Sequence, residues 1–211
     1  MCREQEPREL GIGHPSILPA QGRKSTHLTV RVAAVEDGPL SVAFPAMEIR
    51  EAASEEYAEA GRVTAEAYRE FVRPEDDDWE RYVVRIADVE ARAGQTTIMV
   101  AVEDGRVLGS LTLELEGRVR DDDGEQRPLD PGEGHIRMLG VDPAARGRGV
   151  ARALMEASEA RARAAGKTFM ALHTTQRMQA AQSMYEGLGY ERLEDRVFPD
   201  GFVLLSYTKT L

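Results

Sequence analysis

The chain has 211 residues, 42% of them hydrophobic and 30% charged, which suits one soluble globular domain carrying a tail. Its formal net charge of -10 argues against wrapping a nucleic-acid backbone. A single cysteine, Cys2, excludes an internal disulfide, and no apolar run approaches the roughly 20 residues of a membrane span.

Residues 1–45 carry Pro7, Gly11, Gly13, Pro15, Pro19, Gly22, Gly38, Pro39 and Pro45, too much punctuation for a long element. They are expected to form a poorly structured extension, with one short strand over Leu28–Val35. Met1–Pro7 lacks a basic stretch followed by an apolar one, so no leader is expected and a cytoplasmic location follows. Regular alternation begins at Met47, which is itself a candidate natural start, and the folded domain is expected over residues 46–211.

Met47–Arg50 reads as a strand. Ser54 is a candidate helix cap, and the helix is expected to run to about Val72, burying Tyr57, Val63, Ala67 and Phe71 before Pro74 stops it. A second helix is expected over Asp78–Ala93, with Gly94 closing it. Thr96–Val102 and Arg106–Leu115 are strands joined at Glu103-Asp104-Gly105-Arg106. Arg118–Gly134 is polar and reads as a loop. Strand His135–Val141, helix Gly149–Ala165, strand Thr168–Thr174 and helix Gln179–Leu188 follow. Two strands, Tyr190–Phe198 and Phe202–Thr210, close the chain around Pro199-Asp200-Gly201.

The stretch richest in chemical meaning is His135-Ile-Arg-Met-Leu-Gly-Val-Asp-Pro-Ala-Ala-Arg-Gly-Arg-Gly-Val-Ala-Arg-Ala-Leu-Met155. A strand ends at Val141, Asp142-Pro143 breaks it, and a glycine-rich turn opens into a helix. Helix N-termini carry unsatisfied N–H groups and a positive dipole end, so they receive anions. Gly147 and Gly149 let a phosphate approach the backbone, and Arg146 and Arg148 add charge. The helix pattern places Val150, Ala153, Leu154, Ala157, Ala160 and Ala164 on an apolar stripe, with Arg152, Glu156, Glu159 and Arg163 facing away. A turn with no ligand is the competing reading. The P-loop pattern fails for want of Gly-Lys-Ser/Thr, and the dinucleotide pattern fails because Arg152 stands where its third glycine belongs.

Arg146-Gly-Arg-Gly149-Val-Ala151 resembles the R/Q-x-x-G-x-G/A signature of the GNAT superfamily of N-acetyltransferases. Leu139-Gly-Val141-Asp-Pro143 is similar to the strand that leads into it. Met178-Gln-Ala-Ala181-Gln-Ser-Met-Tyr185-Glu-Gly-Leu-Gly189-Tyr190 resembles the family's helix ending in a Tyr-Glu-x-x-Gly-aromatic run. The resemblance spans about 165 residues, from Met47 onward. It implies an α/β fold with a central mixed, mostly antiparallel, splayed sheet of six to seven strands and about four helices. It further implies acetyl-CoA as co-substrate, an amine acceptor, direct transfer, no metal and the possibility of a homodimer.

By that resemblance, Leu139, Gly140 and Val141 pair with the pantetheine arm, and Arg146, Gly147, Arg148, Gly149, Val150 and Ala151 hold the pyrophosphate. Tyr185 matches the tyrosine that donates to the departing thiolate, against a competing role in helix packing. Candidate bases are Glu133 and His135, with His173 third. Met178 stands where many members carry Asn and cannot make that amide's bonds, so either Gln179 or Ser183 substitutes or the contact is absent. Asp76, Asp77, Asp78 and Trp79 are candidates to meet a cationic amine, although a solvated charge run between helices is the favoured reading. Asp121–Asp123 reads as such a run. A non-catalytic acyl-CoA-binding module and a longer acyl donor are the competing functions.

Overall fold

The computed structural model describes residues 30–32, 47–73, 77–120, 126–198 and 201–211. Most of the expected N-terminal extension, with Cys2 and Met1, lies outside them, as do Asp76 and Asp121–Asp123. The strands are β1 (Val30–Val32), β2 (Met47–Glu51), β3 (Thr97–Glu103), β4 (Arg106–Glu114), β5 (Arg118–Arg120), β6 (Gln126–Pro128), β7 (Glu133–Val141), β8 (Phe169–Thr175), β9 (Glu191–Arg192), β10 (Arg196–Val197) and β11 (Val203–Thr210). The helices are α1 (Tyr57–Arg69), α2 (Asp77–Ala87), α3 (Glu90–Ala93), α4 (Val150–Ala164) and α5 (Gln179–Gly187).

One sheet runs in the order β1-β2-β3-β4-β7-β8-β11-β10, with β9 also on β11. Every neighbouring pair is antiparallel except β7 and β8. That parallel pair needs a crossover, and α4 supplies it. The architecture is the mixed, mostly antiparallel sheet expected, with more strands than the six to seven read from the sequence. The additions are short: β1 pairs with β2 through Val30↔Ile49 to Val32↔Met47, and the strand expected over Tyr190–Phe198 divides into β9 and β10.

The β3–β4 hairpin turns at Asp104 and Gly105, both with positive φ (49° and 74°), as a tight hairpin turn between right-twisted strands requires. Helix α1 starts differently from expectation. Ser54 makes no cap. The Glu56 carboxylate instead accepts from the Ala53 N–H (2.8 Å) and binds both Arg50 guanidinium nitrogens (2.6 and 2.8 Å). The expected Asp78–Ala93 helix breaks at Asp88-Val89, where the Asp88 carboxylate caps α3 by accepting from the Ala91 N–H (3.1 Å). The polar stretch after β4 is not wholly loop, because β5 and β6 pair as a small hairpin.

Helices cover both sheet faces. On one, α4 and α5 bury Leu154, Met155, Met170, Leu172, Tyr185, Leu205 and Tyr207 in the main core. On the other, α1 packs on β4 and β7, and α2 and α3 continue the layer. The α4 stripe is only partly as read. Met155, Ser158 and Ala162 are buried, Ala164 is exposed, and Glu159 points inward instead of away, 3% exposed. There it accepts from Lys209 at both carboxylate oxygens (2.7 and 2.8 Å), with Arg163 beyond (3.5 Å).

Close backbone contacts demand glycine at two helix crossings. A Cβ on Gly140 would sit 2.7 Å from Thr64 Cα, and one on Gly61 would sit 2.0 Å from the Ala87 carbonyl oxygen. Gly61→Ala is therefore expected to cost about 1–3 kcal/mol in urea unfolding. Gly94→Ala, at a helical φ of -67° with nothing within 4 Å, is expected to be neutral or slightly stabilising in the same measurement.

Candidate active site

The site grows from a mismatch between β7 and its two neighbours. Against β4, the register slips between Ser110 and Thr112, and Met138 takes a positive φ of 54°. This is a bulge: one extra residue in β7 bends the strand. Against β8, pairing runs only from Glu133↔Phe169 to Ile136↔Leu172, although β7 continues to Val141 and β8 to Thr175. The strands part there. Leu139, Gly140 and Val141 line one wall of the opening, and His173 and Thr174 line the other.

At the end of β7, Asp142 caps a 3-10 turn over Pro143–Ala145 by accepting from the Ala144 N–H (2.9 Å). Gly147 and Gly149 then take left-handed φ values of 75° and 78°. Nothing lies within 4 Å of a Cβ at either position, so conformation rather than space calls for glycine. Gly149 is the N-cap of α4 and makes no side-chain cap. The start of the first helical turn lines the cavity, and the ladder begins with Ala153 N–H to the Gly149 carbonyl (3.0 Å).

The strand opening and the helix N-terminus share one cavity of about 940 Å³. Of the residues expected to hold the cofactor, Leu139, Gly140, Val141, Arg146, Gly147, Gly149, Val150 and Ala151 line it. Arg148 does not, and instead reaches Glu103 (2.6 Å). Ser183 is exposed and does not line the cavity. Next to Met178, the Gln182 Nε2 donates to the Thr175 carbonyl (2.9 Å). Met178 itself is buried and accepts a weak bond from the Thr174 hydroxyl at sulfur (3.5 Å).

Tyr185 sits on α5 in the cavity wall, 6% exposed, its ring packed on Tyr190 and Tyr207 (6.1 and 5.8 Å between centroids). Burial pushes its phenol pKa far up, so the hydroxyl keeps its proton and stays a donor. Packing and cavity exposure thus coexist in this one side chain.

The candidate bases fall differently from expectation. Glu133 and His135, 3% and 1% exposed, lie in the paired half of β7 and do not line the cavity. Glu133 binds both Arg127 guanidinium nitrogens (2.6 and 2.8 Å) and the His135 Nδ1 (2.8 Å). His173, on β8, does line the cavity.

The sequence reading missed the α1 wall: Tyr68, Glu70, Phe71 and Arg73 face the turn from across the cavity. Glu70 closes on Arg146 with two bonds (2.8 and 3.0 Å). Trp79 stacks on Tyr82 (5.4 Å) and lies near Tyr68 (6.3 Å), so its role here is in an aromatic cluster. Among the described residues there is no metal-ligating group and no helix long and apolar enough to cross a membrane.

Residues 53–190 match the model of the acetyltransferase (GNAT) family. The chain belongs to the GNAT acetyltransferase family. A mycothiol acetyltransferase of Thermobispora bispora is 27% identical over 161 residues, covering 73% of this chain and 52% of that protein. One of Cellulomonas flavigena is 31% identical over 146 residues, covering 60% and 40%. The chain thus spans about half the length, or less, of these curated relatives. Among solved structures, yncA of Salmonella typhimurium, determined with its cofactor acetyl-CoA, aligns at TM-score 0.56 and 22% identity over 78% of this chain and 94% of that one. A GNAT acetyltransferase of Staphylococcus aureus aligns at 0.56 and 14% identity over 78% and 99%. These structures establish the shared fold.

The Glu133 cluster makes a pH prediction. Burial alone would raise this carboxyl, but the bonds from His135 and Arg127 outweigh it and bring its pKa down from 4.5 to about 2. A depressed acid stabilises the fold above its unfolded pKa and loses that contribution as pH falls toward the folded value. Urea unfolding should therefore show the wild type losing about 3 kcal/mol between neutral pH and pH about 2 through this group. Glu133→Gln, weaker at neutral pH, should lack that share of the acid dependence.

Proposed function

We propose that this chain transfers an acetyl group from acetyl-CoA to a primary amine. The observation that carries the reading is the joining of two features in one cavity: the opening between β7 and β8, and the α4 N-terminus behind two left-handed glycines. The opening suits an extended arm that pairs with the strand edge at Leu139–Val141. The helix N-terminus suits a diphosphate, received by the N–H groups of Arg146–Ala151. The catalytic unit spans residues 46–211.

The chemistry needs a neutral amine, an approach to the thioester carbonyl and support for the departing sulfur. Tyr185 supplies the last as a hydrogen-bond donor, since its high phenol pKa favours holding the sulfur by a bond over giving up the proton entirely. The amine attacks directly, and no nucleophilic side chain of the cavity wall is required. The curated relatives are mycothiol acetyltransferases, and the acceptor for this chain is drawn more broadly, as a small primary amine.

Calorimetry with coenzyme A, and thiol release from acetyl-CoA across a panel of primary amines, tests the reading. Micromolar binding with amine-dependent thiol release is expected; binding without release would indicate a non-catalytic module. Gly149→Glu should weaken coenzyme A binding at least about tenfold by placing a carboxylate beside the phosphates. Gly149→Asn, a residue that tolerates left-handed φ, should cost much less, which separates charge from strain. Tyr185→Phe should lower kcat by about 10- to 100-fold with coenzyme A affinity unchanged. Equal activity would remove its donor role.

A further inference from the structure

Acetyl transfer leaves one proton without a destination. An amine attacks only when neutral, and the nitrogen must shed a proton as the amide forms. We propose that His173 takes this proton at the apex of the strand opening, and that His135 and Glu133 are positioning residues that hold its ring and balance its charge. The inference rests on the acetyl-transfer reading and deepens it.

Three observations carry it. First, β7 and β8 stop pairing at Ile136↔Leu172, so His173 is the first β8 residue beyond the last rung, and it lines the cavity together with Tyr185 and Leu139. It therefore stands where the arm of the donor meets the end of the opening, on the wall opposite the β7 edge. Second, its ring is oriented from both sides. Nδ1 lies 3.0 Å from the Ser206 hydroxyl on β11, and the ring lies 5.4 Å from that of His135 at an angle of 49°. Third, a buried negative charge stands one ring further back. The His135 Nδ1 is 2.8 Å from Glu133, itself clamped by the Arg127 guanidinium. A carboxylate on Nδ1 fixes the proton there and sets the tautomer of His135. Its charge, transmitted through the second ring, favours a positive His173 during the reaction.

The chain Glu133–His135–His173 thus runs from the paired half of β7 to the cavity. A buried acid bonded to a histidine and joined through it to a cavity residue is an arrangement that functional sites favour, beside the structural tie to Arg127. Other charged and titratable groups face it. Arg137 on β7 and Glu114 on β4 form an ion pair beside His135 (3.4 Å). Glu70, Arg73, Arg146, Arg152, Arg177 and Tyr68 line the cavity that His173 shares.

The step balances as follows. The amine nitrogen bonds to the carbonyl carbon, the carbon–sulfur bond breaks, and the nitrogen's proton passes to the His173 imidazole. The thiolate, held by the Tyr185 hydroxyl, takes a proton from the imidazolium directly or through water. One amine and one thioester become one amide and one thiol, and the enzyme is restored.

The test uses the full chain, calorimetry with coenzyme A, and kcat/KM against pH for the amine of the panel that is turned over fastest. His173→Gln should bind coenzyme A within about twofold of wild type, lose at least about 100-fold in kcat/KM and lose the acidic limb of the profile. Glu133→Gln should lose about tenfold and move that limb to lower pH, because removing the negative charge disfavours the imidazolium. A merely structural Glu133 would change stability without moving the limb. Ring resonances of ¹⁵N-histidine-labelled protein give a reading that needs no acceptor: those of His173 should shift when acetyl-CoA is added. Retained rate and limb in His173→Gln, or His173 resonances unmoved by saturating acetyl-CoA, overturns the proposal. Failure of the wild type to bind coenzyme A would instead overturn the acetyl-transfer reading itself.

Discussion

Everything at the site depends on two parallel strands that agree for four residues and then part. Up to Ile136↔Leu172 the main-chain groups of β7 and β8 satisfy one another. Beyond it, β7 keeps its antiparallel partner β4 but loses its parallel one, while Leu139–Val141 still carry polar main-chain atoms that need partners. The bulge at Met138 makes the parting possible, by bending β7 after its paired half is complete. Gly140 makes it durable: without a side chain there, α1 packs at Thr64 directly on the bent strand and braces it from behind. A Thr64–Ser110 hydroxyl pair (2.6 Å) ties the same helix to β4.

The opening divides β7 into two halves with different chemistry. The paired half carries Glu133 and His135, both buried, with Arg127 on Glu133; Arg137, just beyond the last rung, is paired with Glu114. The free half carries Leu139, Gly140 and Val141 and presents backbone. The two halves meet near His173 and Tyr185, which line one cavity.

Local signals explain what could be read from the sequence. The corner at Asp142–Gly149 was legible because its glycines, proline and cap act within a few residues, and each does what its chemistry dictates. The Tyr185 helix and the β3–β4 turn were legible on the same grounds. What escaped depends on partners far along the chain. Glu159 reads as a surface residue by helical spacing, yet Lys209, 50 residues on, draws it inward. Glu70 has no mark in the sequence as a cavity residue; only the folding of α1 over the turn brings it to Arg146, 76 residues away. Glu133 between two glycines looks solvated, and its burial follows from Arg127 arriving on the β5–β6 hairpin, where a plain loop was expected.

The arginines of the glycine corner are already engaged. Arg146 holds Glu70, and Arg148 holds Glu103. A visiting anion meets a guanidinium that has a carboxylate on it, so occupancy at that side chain is an exchange of one anion for another. A monovalent ion such as chloride gains little from the swap, while a ligand with several linked charges gains at the free amides and the arginine together. Any polyanion taken up at this corner would displace Glu70 from Arg146 as it binds.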